Sequence, residues 1–468
     1  MNEALLRQLA AIVGDKALLT GDDMAPSLTD WRGRYIGRAR CVVQPANTEE
    51  VAAVVALCDR ERVAMVPQGG NTGLCGGATP HAKGDEVIIK LSRMQRIRAI
   101  DAANYTITVE AGCVLQAVHE AAAQVDRLFP LSLAAEGNCQ IGGNLSTNAG
   151  GVNVLRYGTM RELVLGVEAV LPDGRIWHGL RSLRKDNTGY DLKQLLIGAE
   201  GTLGIITAAV LKLFPVPRQT ATAWVALDSP AAAVALLAQL RSTCGERVSG
   251  FEIVGRAALD VVLQHIPGTR DPLPHSAPWY VLVELTETLP EFDLCGTLEG
   301  ILADEIAARR AIDAVVAQDI AQHKALWRLR ESISEAQRIE GVSIKHDIAV
   351  PVSRIPEFLA RAEEALCHAS PGLRIVAFGH IGDGNLHYNL SKPQTAANTE
   401  FIAAAPAVNR IVYDLVTSLD GSISAEHGIG QLKRAELARY KSAVELDIMR
   451  VIKRTLDPHD LMNPGKIF

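Results

Sequence analysis

The sequence predicts an α+β protein with two domains, and three features of the chain support this prediction. From Cys41 onward, predicted strands and helices alternate, and glycine-rich segments mark the joints between them. Phe214–Pro217 contains two prolines and ends this pattern. Beyond it, strand and helix patterns predict an α+β domain with an antiparallel sheet covered on one face. We therefore place the domains at residues 1–217 and 218–418, and we expect the last segment, 419–468, to return to the first domain.

Size and composition exclude several classes of protein. A chain of 468 residues is long enough for two or three domains, and its net charge of −6 argues against a nucleic-acid partner. No apolar run approaches the roughly 20 residues of a membrane span. The first residues lack the basic and apolar regions of a signal peptide. The eight cysteines are scattered without a Cys-x-x-Cys pair, which is typical of reduced thiols. We therefore expect a cytoplasmic protein with no transmembrane segment.

Local patterns predict the elements of the first domain. Asn47 and Glu50 form a capping pattern, after which Val51, Val54 and Cys58 share one helical face. Three further runs predict strands and a fourth predicts a helix. The strands are placed at 63–67, 86–91 and 106–111, and the helix at 114–125.

The second domain is predicted in the same way. Short runs rich in β-branched and aromatic residues predict strands, and longer patterns of helical period predict helices. The strands are placed at 222–227, 249–253, 280–286 and 343–350. The helices are placed at 231–241, 257–265, 321–338 and 355–369.

Three glycine-rich segments lie in the first domain, at 68–77, 136–151 and 197–206. Glycine mixed with Asn, Thr and Ser allows successive backbone N–H groups to converge on an anion, so such segments bind phosphate or pyrophosphate. The G-x-G-x-x-G and P-loop patterns are both absent. Three segments in one domain therefore predict a large ligand that carries a pyrophosphate. The ligand would bind neither at a G-x-G-x-x-G turn nor at a P-loop. The alternative is that they are only tight turns between layers.

A candidate metal site lies in a predicted hairpin of the second domain. Asp383-Gly384 is a strong signal for a two-residue hairpin turn. With that turn, His380 is predicted to lie directly opposite His387, with Cβ atoms roughly 5 Å apart on one face. Two imidazoles so placed can bind one metal ion. The alternative is a pair of partly buried histidines that only form hydrogen bonds.

A second short segment adds to this site. Glu426 would supply an oxygen ligand, and the neighbouring His427 is a candidate general base. Three N and O ligands with an open position are typical of a catalytic metal site.

These segments resemble a known family. The stretches at 66–73, 142–151 and 198–204 resemble the FAD-binding domain of flavoproteins of the vanillyl-alcohol-oxidase/p-cresol-methylhydroxylase type. The patterns Gly-His-x-Gly-Asp-Gly-Asn-x-His and Ser-Ala-Glu-His-Gly-x-Gly resemble its FAD-dependent D-2-hydroxy-acid dehydrogenase branch. The motif Arg184–Asp191 and the tail Leu456–Lys466 also fit, so the resemblance covers nearly the whole chain from Cys41.

The resemblance implies a p-cresol-methylhydroxylase-type FAD domain of two subdomains, followed by an α+β substrate domain, or cap. Some relatives attach the flavin to a histidine of the first glycine segment, but that segment has none here, so we expect non-covalent FAD. The implied cofactor-binding residues are Pro67, Gly69, Gly70, Asn71, Thr72, Gly73, Glu136, Gly137, Gly142, Gly143, Ser146, Thr147, Asn148, Gly150, Gly151, Tyr157, Gly158, Glu200, Gly201, Ile206 and Asn463.

The implied reaction is oxidation of a D-2-hydroxy acid to the 2-oxo acid, with hydride transfer to flavin N5. His427 would accept the hydroxyl proton. His380, His387 and Glu426 would bind a divalent metal, Zn²⁺ first and Mn²⁺ or Co²⁺ as alternatives. The implied substrate-binding residues are Arg330, Ser334, Lys345 and Asn389, with Arg330 and Ser334 predicted to share one helical face.

Two cations, Arg330 and Lys345, favour a substrate with two carboxylates, since a buried cation without a partner is costly. The predicted substrate is therefore D-2-hydroxyglutarate, with a D-lactate or glycolate dehydrogenase as the alternative in the same family. From another class, a metallohydrolase would explain the metal residues and a nucleotide-binding protein the glycine segments. We also predict a homodimer that passes electrons to an electron-transfer flavoprotein, a quinone or a cytochrome.

Overall fold

The computed structural model describes residues 3–393 and 397–468. The strands are β1 Leu18–Leu19, β2 Cys41–Val43, β3 Met65–Gln68, β4 Val87–Lys90, β5 Ile97–Asp101, β6 Thr106–Glu110, β7 Arg127–Leu128, β8 Val164–Val170, β9 Ile176–Gly179, β10 Ile205–Lys212, β11 Phe214–Pro215, β12 Gln219–Leu227, β13 Val248–Gly255, β14 Trp279–Glu287, β15 Asp313–Val316, β16 Ser343–Ile344, β17 Asp347–Ala349, β18 Arg374–Gly379 and β19 Asn385–Ser391. The helices are α1 Glu3–Val13, α2 Ala25–Leu28, α3 Thr48–Arg60, α4 Leu115–Ala123, α5 Ile141–Ser146, α6 Val154–Tyr157, α7 Met160–Leu163, α8 Lys193–Leu196, α9 Pro230–Cys244, α10 Arg256–His265, α11 Leu294–Ala307, α12 Ile320–Glu331, α13 Ile333–Glu340, α14 Ile355–Ala369, α15 Asn398–Ser418, α16 Arg434–Tyr440 and α17 Ala443–Leu456.

The chain forms two compact units. The first comprises Met1–Gly150, Gly158–Val216 and Glu426–Phe468, and the second comprises Gly151–Tyr157 and Pro217–Ala425. The chain passes from the second unit to the first at the peptide bond between Ala425 and Glu426.

The first unit contains a four-stranded sheet in the order β1-β2-β4-β3, in which β2, β4 and β3 are parallel. Helix α3 connects β2 to β3, and the Asn47 side chain caps it by accepting the N–H of Glu50 at 2.8 Å. Its apolar face, which includes Val51 and Val54, is fully buried. β3 ends at Gln68, so the first glycine segment follows the carboxyl end of a parallel strand, where α/β sheets commonly bind ligands.

An antiparallel sheet of the first unit, in the order β5-β6-β10-β8-β9, carries the other two glycine segments. The second segment forms α5, and the third leads directly into β10. The tail also packs in this unit, because Met462 bridges to Met65 and the N–H of Asn463 donates to the carbonyl of Met65 at 2.7 Å. The tail thus lies beside β3 and the start of the first glycine segment.

The second unit is built on an antiparallel sheet in the order β15-β12-β14-β13-β18-β19-β16, with β17 also paired to β19. The core on this sheet includes Trp224, Tyr280 and Phe378, all buried. The α+β fold with an antiparallel sheet is confirmed.

Two predicted elements of this unit are interrupted. The helix predicted at 321–338 breaks at Ser332 into α12 and α13. The strand predicted at 343–350 divides into β16 and β17, because Lys345 and His346 do not pair in the ladder with β19. Neither break coincides with a Gly or Pro in the sequence.

Among residues 3–393 and 397–468, we find no helix with the length and apolar character needed to span a bilayer.

Candidate active site

Residues of all three glycine segments line one cleft in the first unit. The volume of the cleft, including the part open to solvent, is about 910 Å³. Thirteen of the predicted cofactor-binding residues line it. They are Pro67, Gly69, Gly70, Asn71, Thr72, Gly73, Gly142, Gly143, Ser146, Thr147, Glu200, Gly201 and Ile206. His427 lines the same cleft.

Packing within the first unit requires glycine at two positions of the cleft. A Cβ added at Gly70 would lie 2.1 Å from the carbonyl oxygen of Asn138, and one added at Gly142 would lie 2.8 Å from Cβ of Ala111. Both positions therefore exclude side chains by packing within the unit. A Cβ at Gly143 would meet nothing within 4 Å, so this backbone faces open space in the cleft.

The other predicted cofactor-binding residues are not among the residues that line the cleft: Glu136, Gly137, Asn148, Gly150, Gly151, Tyr157, Gly158 and Asn463. Local contacts explain some of these positions. Glu136 accepts hydrogen bonds from the hydroxyl of Ser132 and the N–H of Leu133. The side chain of Asn148 accepts a hydrogen bond from the N–H of Arg161. Gly151 and Tyr157 belong to the second unit.

Asn463 and Glu200 connect three parts of the first unit. The buried Asn463 amide donates to the carbonyls of Gly77 (3.0 Å) and Glu200 (2.7 Å). The Glu200 carboxylate accepts the N–H groups of Ile429 and Gly430, each at 2.7 Å. Burial raises the pKa of the Glu200 carboxyl, and the two N–H groups oppose that rise. Glu200 therefore fixes the backbone immediately after His427, a contact between residues distant in sequence that no local pattern predicted.

The hairpin of the second unit differs from its predicted register. Phe378, and not His380, is the partner of His387 in the β18–β19 ladder. His380 lies just beyond the end of β18, in a five-residue loop at 380–384, so the predicted two-residue turn is wrong. The loop still brings the imidazoles together, since their ring centroids are 5.7 Å apart and each offers a nitrogen within 4.8 Å of the other.

Glu252 orients His380 from the neighbouring strand β13. Its Oε1 lies 2.7 Å from Nδ1 of His380, and its Oε2 accepts both Nε and Nη2 of Arg330 at 2.8 Å. Burial alone would raise the pKa of Glu252, but His380 and Arg330 outweigh it and hold the pKa at about 2. An ionised carboxylate only accepts hydrogen bonds, so His380 donates through Nδ1.

This arrangement fits a metal ligand. Metal-binding histidines commonly donate one ring N–H to a carboxylate and coordinate through the other nitrogen. His387 lies near a carboxylate but forms no hydrogen bond with it, because its Nδ1 is 4.0 Å from Oδ1 of the buried Asp347, which accepts from Asn385 at 3.0 Å. Of the predicted ligands, the second unit thus supplies His380 and His387. Glu426 and His427 belong to the first unit.

Sequence analysis did not identify Glu252 as part of the site. The signal was an acidic residue in the middle of the buried apolar strand Phe251-Glu252-Ile253. Such a residue requires a partner. The partners, His380 and Arg330, lie 128 and 78 residues further along the chain, so only the tertiary fold identifies them.

The structure separates some of the predicted substrate-binding residues. Arg330 is buried at the end of α12, whereas Ser334 is exposed on α13, so the prediction that they share one face is wrong. Lys345 is half-buried between β16 and β17. Asn389 lies two residues after His387 on β19, and its buried amide donates to Oε1 of Gln337 at 2.7 Å.

Comparison with known proteins gives the family. The model for FAD linked oxidases, C-terminal domain, matches residues 216–467, and the model for the FAD binding domain matches residues 39–179. The chain belongs to the FAD-linked oxidase family. The FAD cofactor and the flavoprotein resemblance predicted from the sequence are thereby confirmed. We refer to the cleft lined by the glycine segments as the FAD cleft, the candidate site of this cofactor.

Comparison with individual relatives supports this assignment to the family. The chain is 40% identical to a D-2-hydroxyglutarate dehydrogenase of Xanthomonas citri pv. viticola over 449 residues, covering 94% of this chain and 91% of the relative. It is 35% identical to a putative mitochondrial D-lactate dehydrogenase of Schizosaccharomyces pombe, covering 100% and 90%. The crystal structure of p-cresol methylhydroxylase superposes with a TM-score of 0.76 at 17% identity, covering 99% and 96%. The last comparison shows the shared fold.

Proposed function

We propose that this protein oxidises D-2-hydroxy acids, D-2-hydroxyglutarate foremost, to 2-oxo acids with non-covalent FAD and a divalent metal. The observation that carries the proposal is the position of His427. It lines the FAD cleft, and Glu200 holds the backbone that follows it. Removal of the hydroxyl proton of the substrate requires a base near the cofactor.

The reaction divides between cofactor and protein. FAD bound in the cleft would supply the acceptor, flavin N5, for the hydride of the alcohol carbon. An imidazole nitrogen of His427 takes the hydroxyl proton, since imidazole titrates near neutral pH. The hydride from the C–H bond and the proton from the O–H bond then each have an acceptor, and the product leaves as the 2-oxo acid.

The metal is proposed on two grounds. His380 and His387 face each other, and the Glu252 carboxylate orients His380 as it would a metal ligand. Glu426 as third ligand rests on the sequence resemblance alone. A metal of the Zn²⁺, Mn²⁺ or Co²⁺ type, when bound, would lower the pKa of the substrate hydroxyl.

The choice of substrate rests on Lys345 and on the relatives. Arg330 already has a buried partner in Glu252, so the argument that it needs a substrate carboxylate does not hold. By resemblance we place Lys345, Asn389 and Ser334 at the substrate, and we assign the second carboxylate of D-2-hydroxyglutarate to Lys345. The alternative is a D-lactate dehydrogenase, as one relative is named. We do not retain the metallohydrolase hypothesis, because it does not explain the FAD-binding domain.

A panel of D- and L-2-hydroxy acids with a dye as electron acceptor tests the proposal. We expect D-2-hydroxyglutarate to give the highest kcat/KM and the L-enantiomers to give none. Higher kcat/KM for D-lactate or glycolate would favour the alternative. The homodimer, the acceptor and the cytoplasmic location stay predictions.

A further inference from the structure

The motif Arg184–Asp191 lies outside the FAD cleft and forms part of an irregular loop between β9 and α8. All twelve residues from 181 to 192 are exposed. Three of them are large apolar residues: Leu183 is 58% exposed, Tyr190 95% and Leu192 45%. A short loop that exposes three such side chains is typical of an interaction surface.

The same loop borders a cleft with a basic lining, distinct from the FAD cleft. Six basic and three acidic side chains line it, which gives a local excess of three positive charges on a chain of net charge −6. The basic residues are Arg161, Arg181, Arg184, Lys185, Lys193 and Lys212. We call the loop 181–192 together with Lys193 and Lys212 the Arg184 surface.

Contacts within the Arg184 surface neutralise only part of this charge. Arg181 pairs with Asp186 at 2.6 Å, and Lys193 pairs with Asp191 at 2.6 Å. The Arg184 guanidinium donates to a neutral group, the carbonyl of Asn104, at 3.4 Å. Burial lowers the pKa of Lys212, and the cations Arg184 and Lys193 lower it further, whereas Glu162 opposes them.

The Arg184 surface is connected to the FAD cleft by a short, well-anchored segment. Helix α8 follows the loop, and Glu200 in the FAD cleft is seven residues after Lys193. From the rise of a helix and of extended chain, their Cα atoms are at most about 19 Å apart. Arg161 anchors this segment by donating to Gln194 Oε1 and to the carbonyl of Ile197, both at 2.6 Å.

We propose that the Arg184 surface docks an acidic protein that reoxidises the reduced flavin. This rests on the proposed function, in which each turnover places two electrons on FAD. Those electrons must pass to an acceptor before the next substrate reacts, so the acceptor protein is reduced as the enzyme returns to its oxidised form. Exposed Tyr and Arg side chains beside apolar ones favour a protein partner over a small quinone, and the positive charge selects an acidic surface.

The test compares two acceptors of the holoenzyme at saturating D-2-hydroxyglutarate. One is purified electron-transfer flavoprotein, and the other is the dye dichlorophenolindophenol. The variant Arg184→Glu/Lys185→Glu should raise KM for the flavoprotein at least about tenfold and reduce its dependence on salt between about 20 and 200 mM. Tyr190→Ala should raise this KM about tenfold at every salt concentration. Neither variant should alter the rate with the dye.

A matched control is Arg7→Glu/Lys16→Glu, which changes the net charge equally at two exposed positions of the first unit. It should leave both rates unchanged. Poly-L-glutamate should inhibit reduction of the flavoprotein, but not of the dye, in the parent enzyme at low salt.

Three results would overturn the docking proposal. The first is a parent enzyme that reduces the dye but not the flavoprotein. The second is unchanged flavoprotein KM in the Arg184 surface variants. The third is dissociation of a dimer in those variants alone, measured by sedimentation, which would assign the surface to a second copy of the chain. If D-2-hydroxy acids reduce neither FAD nor dye, the proposed function itself fails, and the two failures are thereby distinguished.

Discussion

His380 and Glu252 share a 2.7 Å hydrogen bond between Nδ1 and Oε1 in the interior of the second unit. The other oxygen of the same carboxylate pairs with Arg330. Glu252 therefore links a proposed metal ligand to a buried arginine, and its removal should affect the metal and the fold in different ways.

Glu252→Gln should weaken metal binding by about 10–100-fold, the usual cost of losing a carboxylate that orients a histidine ligand. It should also lower the free energy of unfolding by about 3–5 kcal/mol, because Arg330 loses its buried partner. Calorimetric metal titration and urea unfolding measure the two effects. Glu305→Gln is the control, since Glu305 is a buried carboxylate of the same unit that pairs with Arg310. It should lose stability but bind metal normally, and equal metal affinity in both variants would contradict the assignment.

Gly143→Asp should yield a folded protein without FAD. A Cβ added at Gly143 meets nothing within 4 Å, so we expect the fold to tolerate the substitution, which places a negative charge in the FAD cleft. Gly142→Ala is the matched contrast, since its Cβ would lie 2.8 Å from Cβ of Ala111 and should lower the thermal midpoint of unfolding. Flavin absorbance after gel filtration and circular dichroism measure these outcomes. A yellow Gly143→Asp protein would be inconsistent with the FAD site described.

Glu200→Ala should slow reduction of bound flavin by D-2-hydroxyglutarate, because it removes both acceptors for the N–H groups after His427. Losing a hydrogen bond to a charged group costs roughly 1.5–3 kcal/mol, so we expect a rate about 10–150-fold lower. Stopped-flow absorbance measures the rate, with the ratio of FAD to protein as a check. Gln431→Ala removes a different anchor of the same loop, to the carbonyls of Gly76 and Thr79, and should have a smaller effect. Equal rates in Glu200→Ala and the parent would refute the positioning role.

Lys345→Ala should reduce the preference for D-2-hydroxyglutarate over D-lactate by about 10–150-fold, the loss of one charge-assisted contact. Arg330→Ala should instead slow both acids alike, because its loss leaves Glu252 with a single buried partner. Steady-state kcat/KM for the two acids measures both. If Arg330→Ala reduces the preference and Lys345→Ala slows both acids alike, the second carboxylate binds to Arg330 and not to Lys345.

Local sequence patterns predicted much of this structure because caps, turns and apolar periods act over short distances. The Asn47 cap and the helix Ile355–Ala369 lie where they were predicted, and the glycine segments that suggested a pyrophosphate ligand line one cleft. The break at Ser332 and the five-residue loop after β18 were not predicted, because no local pattern in the sequence marked them. The partnership of Glu252 with His380 and Arg330 depends on strand order, which no local pattern contains.

The central claim is that FAD would oxidise a D-2-hydroxy acid, with His427 as the proton acceptor and with a divalent metal required. The most direct test is anaerobic bleaching of bound flavin by D-2-hydroxyglutarate, followed at its visible absorbance band. We expect the parent enzyme to bleach, and the chelated enzyme to bleach only after Zn²⁺ or Mn²⁺ is restored. His427→Ala should bind FAD and metal, yet bleach about 10²–10⁴-fold more slowly. Bleaching at the parent rate in the metal-free enzyme or in His427→Ala would contradict the account.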